Sequence, residues 1–138
     1  MTRTKERLLA LDVGERRIGV ALADSEIRFP VPIRTIQVDG SEVEQIKSII
    51  REHSIDHLVI GLPRNQQGEE TKQSAYVRQF ASLLSGIEAA LHFQDESLTS
   101  VLAEQILRGQ KKPYTKEDID AYAASIILGD YLELHYAK

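Results

Sequence analysis

The chain alternates between short apolar runs and longer stretches in which apolar residues recur every three or four positions. Residues 8–11 and 18–23 form the first two runs, separated by a polar segment holding Gly14, Glu15, Arg16 and Arg17. Short apolar runs bounded by turn residues are the mark of buried strands, and their close spacing predicts a hairpin. Pro30 and Pro32 restrict residues 31–38 to an edge strand or an irregular run, because proline donates nothing to a ladder. Asp39-Gly40 is a turn signal, and Ser41 with Glu44 has capping-box spacing, so a helix is expected to start there. Val43, Ile46, Ile49 and Ile50 would form its apolar stripe.

Residues 57–62 read as another buried strand, closed by Pro63, and the loop 64–68 leads into a helix with Tyr76, Phe80, Leu83, Leu84 and Ile87 on one face. A further strand over residues 90–93 runs into Gln94, Asp95 and Glu96. After Thr99 a helix carries Leu102, Ala103, Ile106 and Leu107. Residues 109–113 break it, and Thr115 with Asp118 opens a last helix running to about Tyr136. A hairpin followed by strand–helix alternation implies an α/β fold, a mixed central sheet with helices on both faces. Nothing resembles an internal repeat or an interdomain linker, and 138 residues suit one domain, residues 1–138, with a real core.

Composition narrows the chemistry. The chain has no cysteine, which excludes disulfides, thiolate metal sites and cysteine nucleophiles. A polar N-terminus, MTRTKER, and the lack of any long apolar run make a cytoplasmic protein the expectation. A net charge of −4 argues against a protein that coats nucleic acid through a global positive field, while leaving room for a local basic groove.

Three carboxylates then stand out by position. Asp12 ends the first apolar run against Leu11, where an acid loses solvation and must find a cation, a donor or a proton. A bond to turn amides is its ordinary alternative. Asp95 and Glu96 close a strand just before a helix, at the carboxyl end where open α/β sheets gather their sites. Helix capping would equally account for one of that pair. Asp120 heads a face formed by Ala123, Ala124, Ile127, Leu128 and Tyr131, so it lies on the side that packs against the sheet. Asp118 has the plainer role of a first-turn acid. Three such acids brought together repel, and a divalent cation is the usual resolution. Hard oxygen donors without His or Cys favour Mg²⁺ or Mn²⁺, and such ions support phosphodiester hydrolysis.

The motifs ALDVGERRIGVALAD at 10–24, GLPRNQQG at 61–68, VRQFA at 77–81, DESLTSVLAE at 95–104 and DIDAYAASIIL at 118–128 resemble those of the bacterial YqgF (RuvX) family. That family belongs to the RNase H-like superfamily and resembles Holliday junction resolvases. The likeness covers essentially the whole chain and implies an RNase H-like fold. It also implies a catalytic, metal-binding triad on Asp12, Glu96 and Asp120, and a role in trimming the 5′ end of pre-16S rRNA, with junction resolution as the older proposal. Two positions depart from the pattern. Gln66 and Gln67 stand where the family usually has Met-Asp, and Ser97 stands where Arg follows the acidic pair. The second change removes a phosphate contact.

Arg16, Arg17, Arg64, Lys72, Arg78, Lys111 and Lys112 are the candidate contacts to a nucleic-acid partner, pre-rRNA or branched DNA. For each the ordinary alternative is a solvated surface charge, and Arg17 has a further one as partner of Glu15 or of the acids. His53, His57, His92 and His135 lack ligand spacing. Asp followed by Gly in a hairpin also fits the phosphate loop of actin-like ATPases and sugar kinases. Those close two lobes around a nucleotide, and 138 residues supply one. A noncatalytic nucleic-acid-binding module is the remaining alternative, against which three intact acids argue. The chain would act as a monomer or a homodimer, the latter suiting a two-fold junction.

Overall fold

The computed structural model describes residues 5–96, 99–110 and 113–136. Strands β1 (Arg7–Val13), β2 (Arg17–Asp24) and β3 (Val31–Gln37) form an antiparallel meander. Helix α1 (Glu42–His53) crosses to β4 (His57–Pro63), which lies parallel to β1, and α2 (Lys72–Ser82) leads to β5 (Ala90–Glu96), parallel to β4. Helices α3 (Thr99–Gly109) and α4 (Lys116–Tyr136) follow. The result is one mixed sheet of order β3-β2-β1-β4-β5, with β3 at an edge as its prolines require.

Strand alternation divides the apolar side chains between two layers. Leu9, Leu11 and Val13 of β1 point to one face, where Ile46, Ile49 and Ile50 of α1 and Val77, Phe80 and Ala81 of α2 cover them. Leu8 and Ala10 point to the other, beneath Ala124, Ile127, Leu128 and Tyr131 of α4. Helices thus lie on both faces, and α4 lies alone against its own, with α3 packed on α4 rather than on the sheet. That position explains why Leu102 and Ile106 of the expected α3 stripe are exposed while Ala103 is fully buried. Leu83 is also exposed, because α2 ends at Ser82 and the buried stripe runs through Val77, Phe80, Ala81 and Leu84. Among the described residues no helix is long and apolar enough to cross a membrane.

Helix starts follow local hydrogen bonding. Ser41 does precede α1, but its side chain makes no cap bond. Its hydroxyl instead donates to Asp39, so the expected capping box does not form. Thr71 and Ser74 form one at α2, and at α4 the Thr115 hydroxyl accepts from the Asp118 amide while Asp118 accepts from the Thr115 amide. At the far end of α4, Glu6 accepts from the Tyr136 hydroxyl at 2.9 Å and from His57 Nε2 at 2.8 Å. His57 in turn bonds His92 across β4 and β5 at 2.9 Å.

The near end of α4 is set by glycine. A Cβ at position 19 would lie 1.8 Å from the Asp120 carbonyl oxygen and 2.2 Å from its carbon, so the helix backbone rests directly on β2. Only glycine permits that approach. Gly129, inside α4, meets nothing nearer than Pro30 Cγ at 3.6 Å. Urea unfolding should therefore separate the two: Gly19→Ala costs about 3 kcal/mol or more through overpacking, whereas Gly129→Ala gains roughly 0.5–1 kcal/mol of helix propensity. Equal and small effects would mean that α4 does not rest on Gly19.

Candidate active site

Asp12 lies within β1, not at its end, and pairs across the hairpin with Gly19. On the other side Leu11 pairs with Ile60, so Gly61 is the next neighbour of Asp12 on β4. Alternation puts Asp12 on the α4 face, in line with Leu8 and Ala10. It is therefore flanked on both adjoining strands by residues without side chains.

Another acid's segment enters each gap. The α4 backbone at Asp120 occupies the space over Gly19, and over Gly61 the Glu96 carboxyl shares the space with Ile127 of α4, Glu96 Cδ and Oε1 each 3.0 Å and Ile127 Cδ1 2.5 Å from where a Cβ would stand. On β5 the His92 ring contacts Tyr131 of α4, so residues 92, 94 and 96 share the α4 face. Leu91 and Phe93 pack on the opposite layer, and Asp95 goes with them. Its carboxylate accepts from Arg64 Nε at 2.9 Å. The two adjacent acids thus belong to different surfaces.

Electrostatics registers the gathering. Burial first, then the charges of Glu96 and Asp120, push the Asp12 pKa up from 3.8 to about 8. Arg17 shares the face of Gly19 two residues on, and its Nε donates to Asp120 Oδ2 at 2.6 Å. This bond holds the guanidinium even more firmly in its charged form, with a further contribution from Glu117. Asp120 is thus engaged by a cation of the chain's own. Among the described residues no group of three or more His, Asp or Glu side chains stands ready to hold an ion as arranged.

Residues 6–134 match the RuvX family, described as Holliday junction resolvase. A Chloroflexus aurantiacus protein named "Putative pre-16S rRNA nuclease" is 45% identical over 131 residues, 91% of this chain and 86% of that protein. A Lactococcus lactis protein of the same name is 33% identical, covering 96% of this chain and 97% of its own length. The chain belongs to the RuvX family. Its fold is also that of Thermus thermophilus RuvC solved with a Holliday junction substrate, at TM-score 0.57 and 11% identity, covering 96% of this chain and 98% of that one. The fold is accordingly RNase H-like, and RuvX is a family of nucleases.

In this RuvX chain the basic candidates separate by position. Arg17 is at the acids, and Arg16 is exposed in the turn beside it. Arg64 and Arg78 stand on the other side of β5, bound into a network around Glu70. Arg78 holds Glu70 through two bonds of 2.7 Å and lies 5.1 Å over the Phe93 ring. Arg64 reaches Asp95 and the Gly68 carbonyl. Their donors order the 64–70 loop, and the sequence had offered no partner for either. Lys72 is exposed at the first turn of α2. Lys111, Lys112 and Ser97 lie outside the described residues. Gly19 and Gly61 are the positions that residue-type reasoning passed over. A glycine within an apolar strand run was their visible signal.

The raised pKa of Asp12 fixes a pH dependence. The folded protein keeps a proton that the unfolded chain releases near 3.8, so folding binds protons in between and stability falls as pH rises. Metal-free protein should therefore melt progressively lower from about pH 5 to pH 8, with the full contribution present only below the unfolded value. Asp12→Asn should flatten that slope. A metal-free wild-type melting temperature that rises over the same range would contradict the placement of Asp12.

Proposed function

We propose that this chain is a divalent-metal-dependent nuclease, with Asp12, Glu96 and Asp120 as its catalytic, metal-binding residues, acting on the 5′ end of pre-16S rRNA. The observation that carries the reading is the convergence of three acids from β1, β5 and α4 on one face around two strand glycines. The donor chemistry fits Mg²⁺ or Mn²⁺: every candidate ligand is a carboxylate oxygen, and the mutual repulsion at Asp12 is what a doubly charged ion would relieve. When bound, such an ion supplies an activated water and stabilises the leaving oxygen of the phosphodiester.

The chain's own residues do the rest. Glu96 and Asp120 bring negative charge against Asp12, so the site is arranged to exchange a proton for a cation. Asp95, turned to the other face by strand alternation, positions the 64–70 loop through Arg64. Arg16, exposed at the mouth, is placed to meet the phosphate backbone. The RNA substrate is supported by the names of relatives up to 45% identical over 91% of the chain. The family's description favours a four-way DNA junction as the second reading.

The deciding experiment offers the purified protein two substrates, an RNA extended beyond the 16S 5′ end and a four-way DNA junction, in Mg²⁺ and again in Mn²⁺. Cleavage of the RNA is expected. Asp12→Asn, Glu96→Gln and Asp120→Asn should each reduce it by more than about a hundredfold, since even outer partners of metal ligands are worth ten- to a hundredfold. Asp95→Asn should lose stability yet retain appreciable turnover. Undiminished cleavage by Asp12→Asn protein would overturn the site, and preferential cutting of the junction would overturn the substrate.

A further inference from the structure

Arg17 sits where an ion is expected, and the geometry around it is one-sided. Its Nε holds Asp120 Oδ2 at 2.6 Å, and the two side chains are only 26% and 20% exposed. The Asp120 main chain lies directly on β2, with its carbonyl over Gly19. The acids as they stand do not form a ligand set among the described residues. For Asp120 to offer Oδ2 to an ion, that oxygen must leave the hold of the Arg17 guanidinium. The freed guanidinium then remains beside the acids, with the charge of Glu117 also near it.

We propose that Arg17 is a resident counter-ion of the site, competing with the divalent cation for Asp120 and transferring to a phosphate of the nucleic acid once the cation is bound. The inference rests on the reading of the three acids as the ion site and goes beyond it. A planar guanidinium suits both partners, since it donates in the same forked geometry to a carboxylate and to a phosphate. Before the ion arrives, Arg17 offsets one of the charges that repel Asp12. Afterwards it contributes a phosphate contact that the ion-free protein lacks. Arg17 is thus a positioning residue in one state and a substrate contact in the other, and nucleic-acid affinity becomes coupled to ion occupancy.

The test uses full-length protein freed of metal, as wild type, Arg17→Gln and Arg17→Lys, with folding checked by circular dichroism. Titration with Mn²⁺ alone, followed by calorimetry, should show Arg17→Gln binding roughly two- to fivefold tighter than wild type, in keeping with the loss of one partly exposed ion pair. Arg17→Lys should lie between, and it carries the test if the Gln variant does not fold. Affinity for the 5′-extended RNA is then measured against KCl concentration, with Ca²⁺ present and with no divalent ion. The salt slope of Arg17→Gln should be lower than that of wild type by about one unit in Ca²⁺ and unchanged without it. Unchanged or weaker Mn²⁺ binding by Arg17→Gln would overturn the competition, as would a slope lowered equally in both conditions. Failure of the wild type to bind Mn²⁺ any better than Asp12→Asn would instead overturn the ion site itself.

Discussion

The seating of α4 on β2 at Gly19 is the contact on which the site depends. A helix ordinarily stands off a sheet by the depth of its side chains, and here the Asp120–Ala121 peptide lies directly on the strand. Small residues continue the approach, with Ala121, Ala123 and Ala124 buried behind Asp120 and Ala21 and Ala23 beneath them. The interface therefore keeps the head of α4 at a fixed height above β1. That height decides how near Asp120 comes to Asp12.

The sheet sorts charge by face. On the α4 side three carboxylates are gathered with one guanidinium, and Asp12 takes up a proton in compensation. On the α2 side Asp95 and Glu70 meet Arg64 and Arg78, a more evenly balanced arrangement that fixes a loop. The same sequence neighbours, Asp95 and Glu96, enter one arrangement each. Electrostatic strain and electrostatic support are thus separated by the thickness of one strand. A domain of this size has little stability to spare, so confining the repulsion to one face leaves the core beneath the other untouched.

Much of this was legible in the chain itself. The alternation of apolar runs and periodic stretches located the strands and helices of the described residues, and the three acids stood out because each lies where solvation is poor. Proline placed β3 at an edge. Reasoning from one element at a time failed where the answer lay in a second element. The apolar stripe assigned to α3 included Leu102 and Ile106, and both are exposed because α3 has a helix, not a sheet, to lie on. Ser41 had the spacing of a cap, and Asp39 claimed its hydroxyl first. Arg64 and Arg78 read as groups awaiting a polyanion until Glu70 and Asp95 were seen beside them. Of the two partners offered for Arg17, Glu15 and the acids, the structure takes the second, Asp120, 103 residues away.

That separation bears on how the protein is made. Asp12 and Arg17 belong to a hairpin that closes early by short loops, while Asp120 belongs to the helix docked across it from the other end of the sequence. Long loops must be closed before their contacts are rewarded, so the docking of α4 belongs late in folding. Until it docks, the hairpin brings only Asp12 and Arg17 of the candidate site together. If the three acids are the hydrolytic centre proposed, a chain still assembling lacks it, and activity towards nucleic acid waits on completed folding.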